Sequence, residues 1–274
     1  MPVLEPPINA EKERYLKTAV NDLIAGIKMY QLWGRLGWND LMQRYQRSLL
    51  GPIWLTLSMG ILIGALSYLY SSLFKMDIES YLPFLAVGFI LWQLISGILL
   101  DSCNVFTSTE GIIKQIKLPF SVHIYRLLWR NFITFLHNAV VIVVVITYFD
   151  RTIDWTILLI IPGLIIIFLN GVSFGFLLGM LCTRFRDLNP TIVSLIQLAF
   201  FVTPILWEPS LIPERQFLLF YNPFYHFVEI IRAPILGTGI AIETWLILVV
   251  ITLVGWILVV PVINKVRRNL VYWL

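Results

Sequence analysis

The stretch NPFYHFVEIIRAPILG, residues 222–237, places His226, Glu229, Arg232 and two prolines inside a chain that is otherwise mostly apolar. Asn222 is a strong helix N-cap, and Pro223 suits the first helical position, where its missing N–H leaves no bond unmade. Pro234 is expected to stop the helix near Ala233, because it has no N–H to give and its ring crowds the preceding turn. About eleven residues remain, a rod of about 16 Å at 1.5 Å per residue, which covers half a membrane. The piece before it, residues 213–221, is shorter and equally aromatic. Two half-length helices meeting at Asn222 and Pro223 are expected to dip into the outer leaflet and return, with protein shielding their open backbone groups. The competing arrangement is a pair lying flat on the outer headgroups. Glu229 and Arg232, three residues apart, are placed to pair on one helical face, which lowers the cost of lying near the membrane.

Half a membrane is the relevant unit because the whole chain has a membrane composition. Its 274 residues are 58% hydrophobic, 14% aromatic and 13% charged, with a mean hydropathy of +0.83. Soluble domains carry about a quarter charged residues. Cys103 and Cys182 stand far apart in sequence without CxxC spacing, so neither a disulfide scaffold nor a thiolate metal site is indicated. Residues 1–50 hold charges throughout and lack the apolar centre of a cleavable signal, so the first span is expected to direct insertion.

Six uncharged stretches have lengths suited to a bilayer core: residues 55–73, 81–100, 132–149, 156–181, 191–207 and 244–262. Positively charged loops stay cytoplasmic. With the N-terminus inside, the inner segments hold Lys12, Arg14, Lys17, Lys28, Arg35, Arg44 and Arg47, then Lys114, Lys117, Arg126 and Arg130, then Arg184 and Arg186, then Lys265, Arg267 and Arg268. Only Lys75, Arg151, Arg215 and Arg232 fall outside. The expected organisation is therefore a cytoplasmic segment at residues 1–30 and a single transmembrane domain at 31–274, with both termini inside. The fold class is all-α integral membrane: six transmembrane helices, an N-terminal amphipathic interface helix, and a re-entrant half-helix pair between spans five and six. A net charge of +4 hides this polarity and gives no reason to invoke nucleic acid.

The proposed spans contain no Asp, Glu, Lys or Arg, which argues against ion-driven transport through a charged relay. His137, Asn138 and Gln197 interrupt them, in the pattern of helix-to-helix hydrogen bonds. His123, His137 and His226 are scattered, without HExxH or similar metal spacing. No Gly-Lys dipeptide occurs, so the phosphate-cradling GxxxxGK[ST] loop is missing, and any ATP must be used by a partner.

Two cytoplasmic segments have helical patterns. In residues 32–54, Leu36, Trp38, Leu41, Tyr45 and Leu49 fall near one face, and Arg35, Asp40, Gln43, Arg44 and Arg47 supply the polar positions. The segment reads as a helix lying at the headgroups, either as an interface to a partner or as a simple lipid anchor. Gly51 and Pro52 then turn the chain into the bilayer. Between spans two and three, Thr107 and Glu110 have capping-box spacing, Ile112, Ile113 and Ile116 form an apolar edge, Lys114 and Lys117 a polar one, and Pro119 closes the helix. Such a helix can receive a push from below or can be a plain connector.

The strings RYQRSLLGPIW (44–54), IKLPF (116–120), RFRDL (184–188), FFVTPILW (200–207) and NPFYHFVEIIRAPILG occur in an order that resembles the membrane (permease) subunits of ATP-binding-cassette exporters for bacterial polysaccharides. These are type-2 permeases that move O-antigens, capsules and teichoic acids, and the resemblance covers nearly the whole chain beyond residue 30. It implies a homodimer in the bacterial inner membrane, with two copies of a cytoplasmic nucleotide-binding subunit that uses ATP and Mg. This chain itself would hold no cofactor and catalyse no reaction. By the same resemblance, Arg44 and Arg47 mark the interface helix, and Thr109, Glu110, Ile112, Ile113, Lys114, Ile116 and Lys117 match the coupling helix that docks on the ATPase. The dipping pair with Glu229 and Arg232 would narrow the outer exit.

Sugar rings present C–H faces that pack on aromatic rings. Tyr68, Tyr70, Phe200, Phe201, Trp207, Tyr221, Phe224 and Tyr225 are accordingly candidates for a polymer path, although interfacial aromatic belts give the same pattern. The function expected is export of a lipid-linked polysaccharide, O-antigen or capsule. Two alternatives remain open at this point: a drug or lipid exporter of the same superfamily, and an intramembrane enzyme acting on lipid-linked sugars. The enzyme would need facing carboxylates, and Asp77 with Glu79 and Asp150 with Asp154 are the close outer pairs.

Overall fold

A computed structural model describes residues 8–44, 46, 51, 53–150, 154–211 and 217–274, and every regular element among them is helical. Helices α1 (Ile8–Lys28) and α2 (Tyr30–Arg44) precede α3 (Ile53–Phe74), α4 (Ile78–Cys103), the short α5 (Glu110–Gln115), α6 (Phe120–Tyr148), α7 (Ile160–Arg184), α8 (Leu188–Val202), α9 (Phe217–Tyr221), α10 (Pro223–Leu236) and α11 (Ile242–Trp273). Among the described residues, five helices are long and apolar enough to cross a membrane: α3, α4, α6, α7 with the turn before it, and α11.

The stretch expected to be a fifth span, residues 191–207, is instead the 15-residue α8, which ends at Val202. Pro204 is the reason. A residue before proline is pushed out of the helical region, and Thr203 is extended at φ −83°, ψ 135°. Pro234 behaves differently from expectation, since α10 runs through it to Leu236. Ile230 and Ile231 beside it are fully buried, so packing holds the turn that the proline weakens. The helix then closes on Gly237, whose φ of 71° suits glycine, with the N–H groups of Gly237 and Thr238 bonding Ala233 O.

α4 is the central post, touching α3, α6, α7, α8 and α10. Burial drives no association between helices in lipid, so close approach and polar bonds must hold the bundle. Gly171, Gly175 and Gly179 form a stripe on α7, where an added Cβ would lie 2.7 Å from Leu128, 3.1 Å from Ile124 and 2.6 Å from Val105. Asn138 Nδ2 donates to Gln93 Oε1 at 2.5 Å between α6 and α4. Asn170 Nδ2 donates to Thr252 Oγ1 at 2.7 Å between α7 and α11. His137 Nδ1 meets Ile133 O of its own helix, and its backbone carbonyl accepts from Thr56 Oγ1 of α3 at 2.8 Å. Helix α1 packs on α6 and α11.

Candidate functional site

The opening stretch starts as its sequence predicts. Asn222 Oδ1 accepts from the N–H groups of Phe224 (3.0 Å) and Tyr225 (3.4 Å), while its Nδ2 donates to Thr203 Oγ1 at 3.0 Å. One side chain thus caps α10 and ties it to the break after α8. The first turn of α10 lies at the level of Ile95, Ile98 and Asn170, with which Pro223 and Phe224 enclose a cavity of about 120 Å³. Its later half lies about two turns nearer the start of α7, with Ile230 and Ile231 against Gly163.

Glu229 and Arg232 do pair. Arg232 Nη2 lies 2.6 Å from Glu229 Oε2, and Nε donates to the same oxygen at 2.9 Å. Arg232 is buried, 2% exposed, whereas the Glu229 side chain is 19% exposed. Its Nη1 donates to Pro204 O at 2.7 Å, and its guanidinium sits 4.1 Å over the Phe84 ring of α4. Tyr81, also on α4, donates its hydroxyl to Leu206 O at 2.5 Å. The backbone released where α8 breaks is therefore held by side chains from α4 and α10, as a buried non-helical backbone requires. His226 bonds Phe220 O through Nε2 (2.9 Å) and meets Thr244 Oγ1 through Nδ1 (3.1 Å), joining α9, α10 and α11.

The candidate aromatics divide. Phe200 and Phe224 both pack on Trp92, at ring separations of 5.7 and 5.4 Å, in one partly buried cluster with Phe89. Tyr70 stacks on Phe74 at 5.6 Å, Trp207 Nε1 donates to Phe201 O, and Tyr225 packs on His226. Tyr68 (75% exposed), Phe201 and Tyr221 lie open on the surface. Trp92, the hub of the cluster, carries no signal distinguishing it from other apolar span residues.

At the other end of the bundle, the segment between α4 and α6 is shorter than expected. A 3₁₀ turn at Thr107–Thr109 leads into the six-residue α5. The anticipated capping box does not form: Thr107 Oγ1 bonds Asn104 O, and the N-cap position falls on Thr109, whose hydroxyl bonds Val105 O. Lys114 Nζ lies 2.6 Å from Glu110 Oε1 and holds that carboxyl below its ordinary pKa. Ile112 and Ile113 are half-buried, and Ile116 and Lys117 are exposed beyond the helix end.

α2 docks through a polar network that sequence reading missed. Asp40 takes two bonds from Arg126, Nε to Oδ2 at 2.7 Å and Nη2 to Oδ1 at 2.5 Å. Arg130 lies 3.5 Å from Asp40 and 2.7 Å from Asp101, so α2, α4 and α6 share one ionic chain. A cavity of about 140 Å³ beside it is lined by Asp40, Asp101, Thr109, His123 and both arginines. Gly37 permits this approach, since a Cβ there would meet Arg126 O at 2.9 Å. Leu41 is buried as expected, Trp38 and Arg44 are exposed, and Tyr45, Arg47 and Leu49 lie outside the described residues.

A helical membrane bundle with a small helix at one end and a broken pair at the other matches a known family: residues 31–236 fit the model of the ABC-2 type transporter. The chain belongs to the ABC-2 type transporter family. Among its relatives are O-antigen export system permease proteins RfbA. One from Klebsiella pneumoniae is 31% identical over 189 residues, 67% of this chain and 72% of the relative. A second from that organism is 27% identical over 192 residues, and one from Myxococcus xanthus is 23% identical over 188, each covering the same shares.

As an ABC-2 membrane component, this chain is an integral membrane transport subunit and not an enzyme, and the family implies association with a nucleotide-binding ATPase subunit. The family match runs from α2 to α10, and so includes α5, the Asp40 network and the Arg232 clamp. It leaves out α1 and all of α11.

Proposed function

We propose that this chain is the membrane-channel subunit of an ATP-driven exporter that moves a lipid-linked polysaccharide, O-antigen or capsule, from the cytoplasm across the inner membrane. The observation that carries this reading is the similarity to three O-antigen export permeases over two thirds of the chain. Two copies would form the path, with two ATPase subunits below them holding ATP and Mg. Both termini and α5 would face the cytoplasm, as the distribution of Lys and Arg favours.

In this reading α5 and its flanks, Thr109 to Lys117, receive the ATPase, with Ile112, Ile113 and Ile116 as the apolar contact and Glu110 and Lys114 shaping the polar edge. Arg44 and Arg47 belong to the interface helix. α9 and α10 are the re-entrant pair that narrows the outer exit, and α8 is the fifth of six crossings, completed by the bent segment 203–207. Tyr68, Phe201 and Tyr221, being open, are the aromatics best placed to meet sugar rings. Tyr70, Phe200, Trp207, Phe224 and Tyr225 would shape the walls behind them.

Deleting the gene should abolish surface glycan and leave lipid-linked glycan inside the cell, while the purified chain alone should turn over no ATP. Ile113→Asp should leave the protein inserted and uncouple ATP use from export. Normal surface glycan in the deletion strain would reject the cargo assigned here.

A further inference from the structure

Helix α1 holds a buried carboxylate to which nothing above gives a role. Asp22 is 3% exposed. Its Oδ1 accepts the N–H of Ser121 at 2.9 Å and its Oδ2 the N–H of Phe120 at 3.2 Å. These are the first two amides of α6, whose own N-cap residue, Pro119, makes no side-chain cap. A helix start leaves four N–H groups without partners and carries positive partial charge. Here a carboxylate from another helix supplies what the local sequence lacks.

The joint is reinforced on both sides. Ser121 Oγ donates to Asp22 O at 2.7 Å, and Tyr125 donates to Leu23 O at 3.2 Å, one turn further along. α1 and α6 approach so closely that a Cβ on Gly26 would lie 2.1 Å from Ser121 Oγ. Arg267 of α11 lies 3.4 Å from Asp22 Oδ2. Asp22 thus links α1, α6 and α11 at one point. Only residues 116–119 separate that point from α5, and they make a short hydrogen-bonded turn: Leu118 N–H bonds Ile116 O at 3.0 Å, with Pro119 extended after it.

We propose that Asp22 is a positioning residue for energy coupling. It fixes the start of α6 to α1 and α11, so that displacement of α5 moves the membrane-spanning part of α6 as a rod instead of fraying its first turn. The inference rests on the reading of α5 as the ATPase-docking helix. It gives α1, which lies outside the family match, a task in transport.

The test uses the full chain with its nucleotide-binding partner, replacing the chromosomal copy, and compares Asp22→Ala, Asp22→Asn and Asp22→Glu. Complex recovered from membranes, ATP turnover and surface glycan on intact cells are measured together, with amide exchange at Phe120 and Ser121 in the purified complex. For Asp22→Ala, amide exchange should rise by about tenfold, the size of change a lost cap produces, and surface glycan should fall, with ATP turnover and complex recovery near wild type. Asp22→Asn, which keeps an accepting oxygen but loses the charge, should lie between, and Asp22→Glu should restore part of the export.

Normal export in Asp22→Ala would overturn the proposal. So would equal loss of ATP turnover and export, or failure of both the Ala and Asn variants to assemble, because a purely structural cap predicts those results. Ile113→Asp run alongside separates the two readings. If it uncouples and Asp22→Ala does not, only the role of Asp22 falls; if Ile113→Asp couples normally, the α5 reading falls first.

Discussion

Arg232 of α10 donates from Nη1 to the carbonyl oxygen of Pro204 at 2.7 Å, joining the second half of α10 to the turn that ends α8. Both groups are buried, and the same guanidinium holds Glu229. Arg232→Met should leave a carbonyl and a largely buried carboxylate without partners, at a cost of about 3 kcal/mol. Glu229→Met should cost less than Arg232→Met, and the double variant less than the two together, because removing both charges leaves neither stranded. Denaturant unfolding of the protein in detergent measures all three; strictly additive losses would mean that the ion pair is not a unit.

Tyr81→Phe removes one hydroxyl and nothing else from the same turn. The loss should be about 1 kcal/mol, the usual worth of a single hydrogen bond, and local to residues 203–207. Hydrogen exchange should show faster opening there, with α4 itself unchanged.

The Asp40, Arg126, Arg130 and Asp101 chain should behave as a coupled set. Asp40→Ala strands the Arg126 side chain, only 18% exposed, and leaves Arg130 with Asp101 alone, and should cost about 2–3 kcal/mol. In a double-mutant cycle Asp40→Ala and Arg126→Met should show an interaction energy of about 1 kcal/mol or more. Little dependence on salt is expected, because partly buried pairs are weakly screened.

Glycine substitutions should separate by location. Gly171→Ala and Gly179→Ala force Cβ atoms to 2.7 and 2.6 Å from their neighbours and should destabilise by about 1–3 kcal/mol. Gly111→Ala in α5 and Gly64→Ala in α3 meet nothing within 4 Å and should be neutral or stabilising by about 0.5–1 kcal/mol, since alanine is the better helix former. Thermal unfolding of the four variants side by side decides this.

Local chemistry was readable where it acted alone. Asn222 and Pro223 announced the start of α10, Glu229 and Arg232 their pairing, and long uncharged runs the positions of α3, α4, α6, α7 and α11. What escaped depended on distant partners. Asp22 and Asp40 look like ordinary solvated charges until α6 brings Phe120, Ser121 and Arg126 to them. Pro234 looks like a stop until the packing of Ile230 and Ile231 outweighs it. The Thr107 to Glu110 spacing promised a cap that the 3₁₀ turn pre-empts by turning the Thr107 hydroxyl back to Asn104. Thr203 before Pro204 did carry a signal, a residue pushed out of the helix, but the length of the apolar run concealed it.

The early end of α8 bears on the lipid around it. On the proposed crossing, fifteen residues rise about 22 Å against about 30 Å of hydrocarbon, so segment 203–207 must cover the remaining depth or the bilayer must thin beside it. That crossing would build a hydrophobic mismatch into one flank of the molecule, and its working rate should then depend on acyl chain length, falling in thicker bilayers.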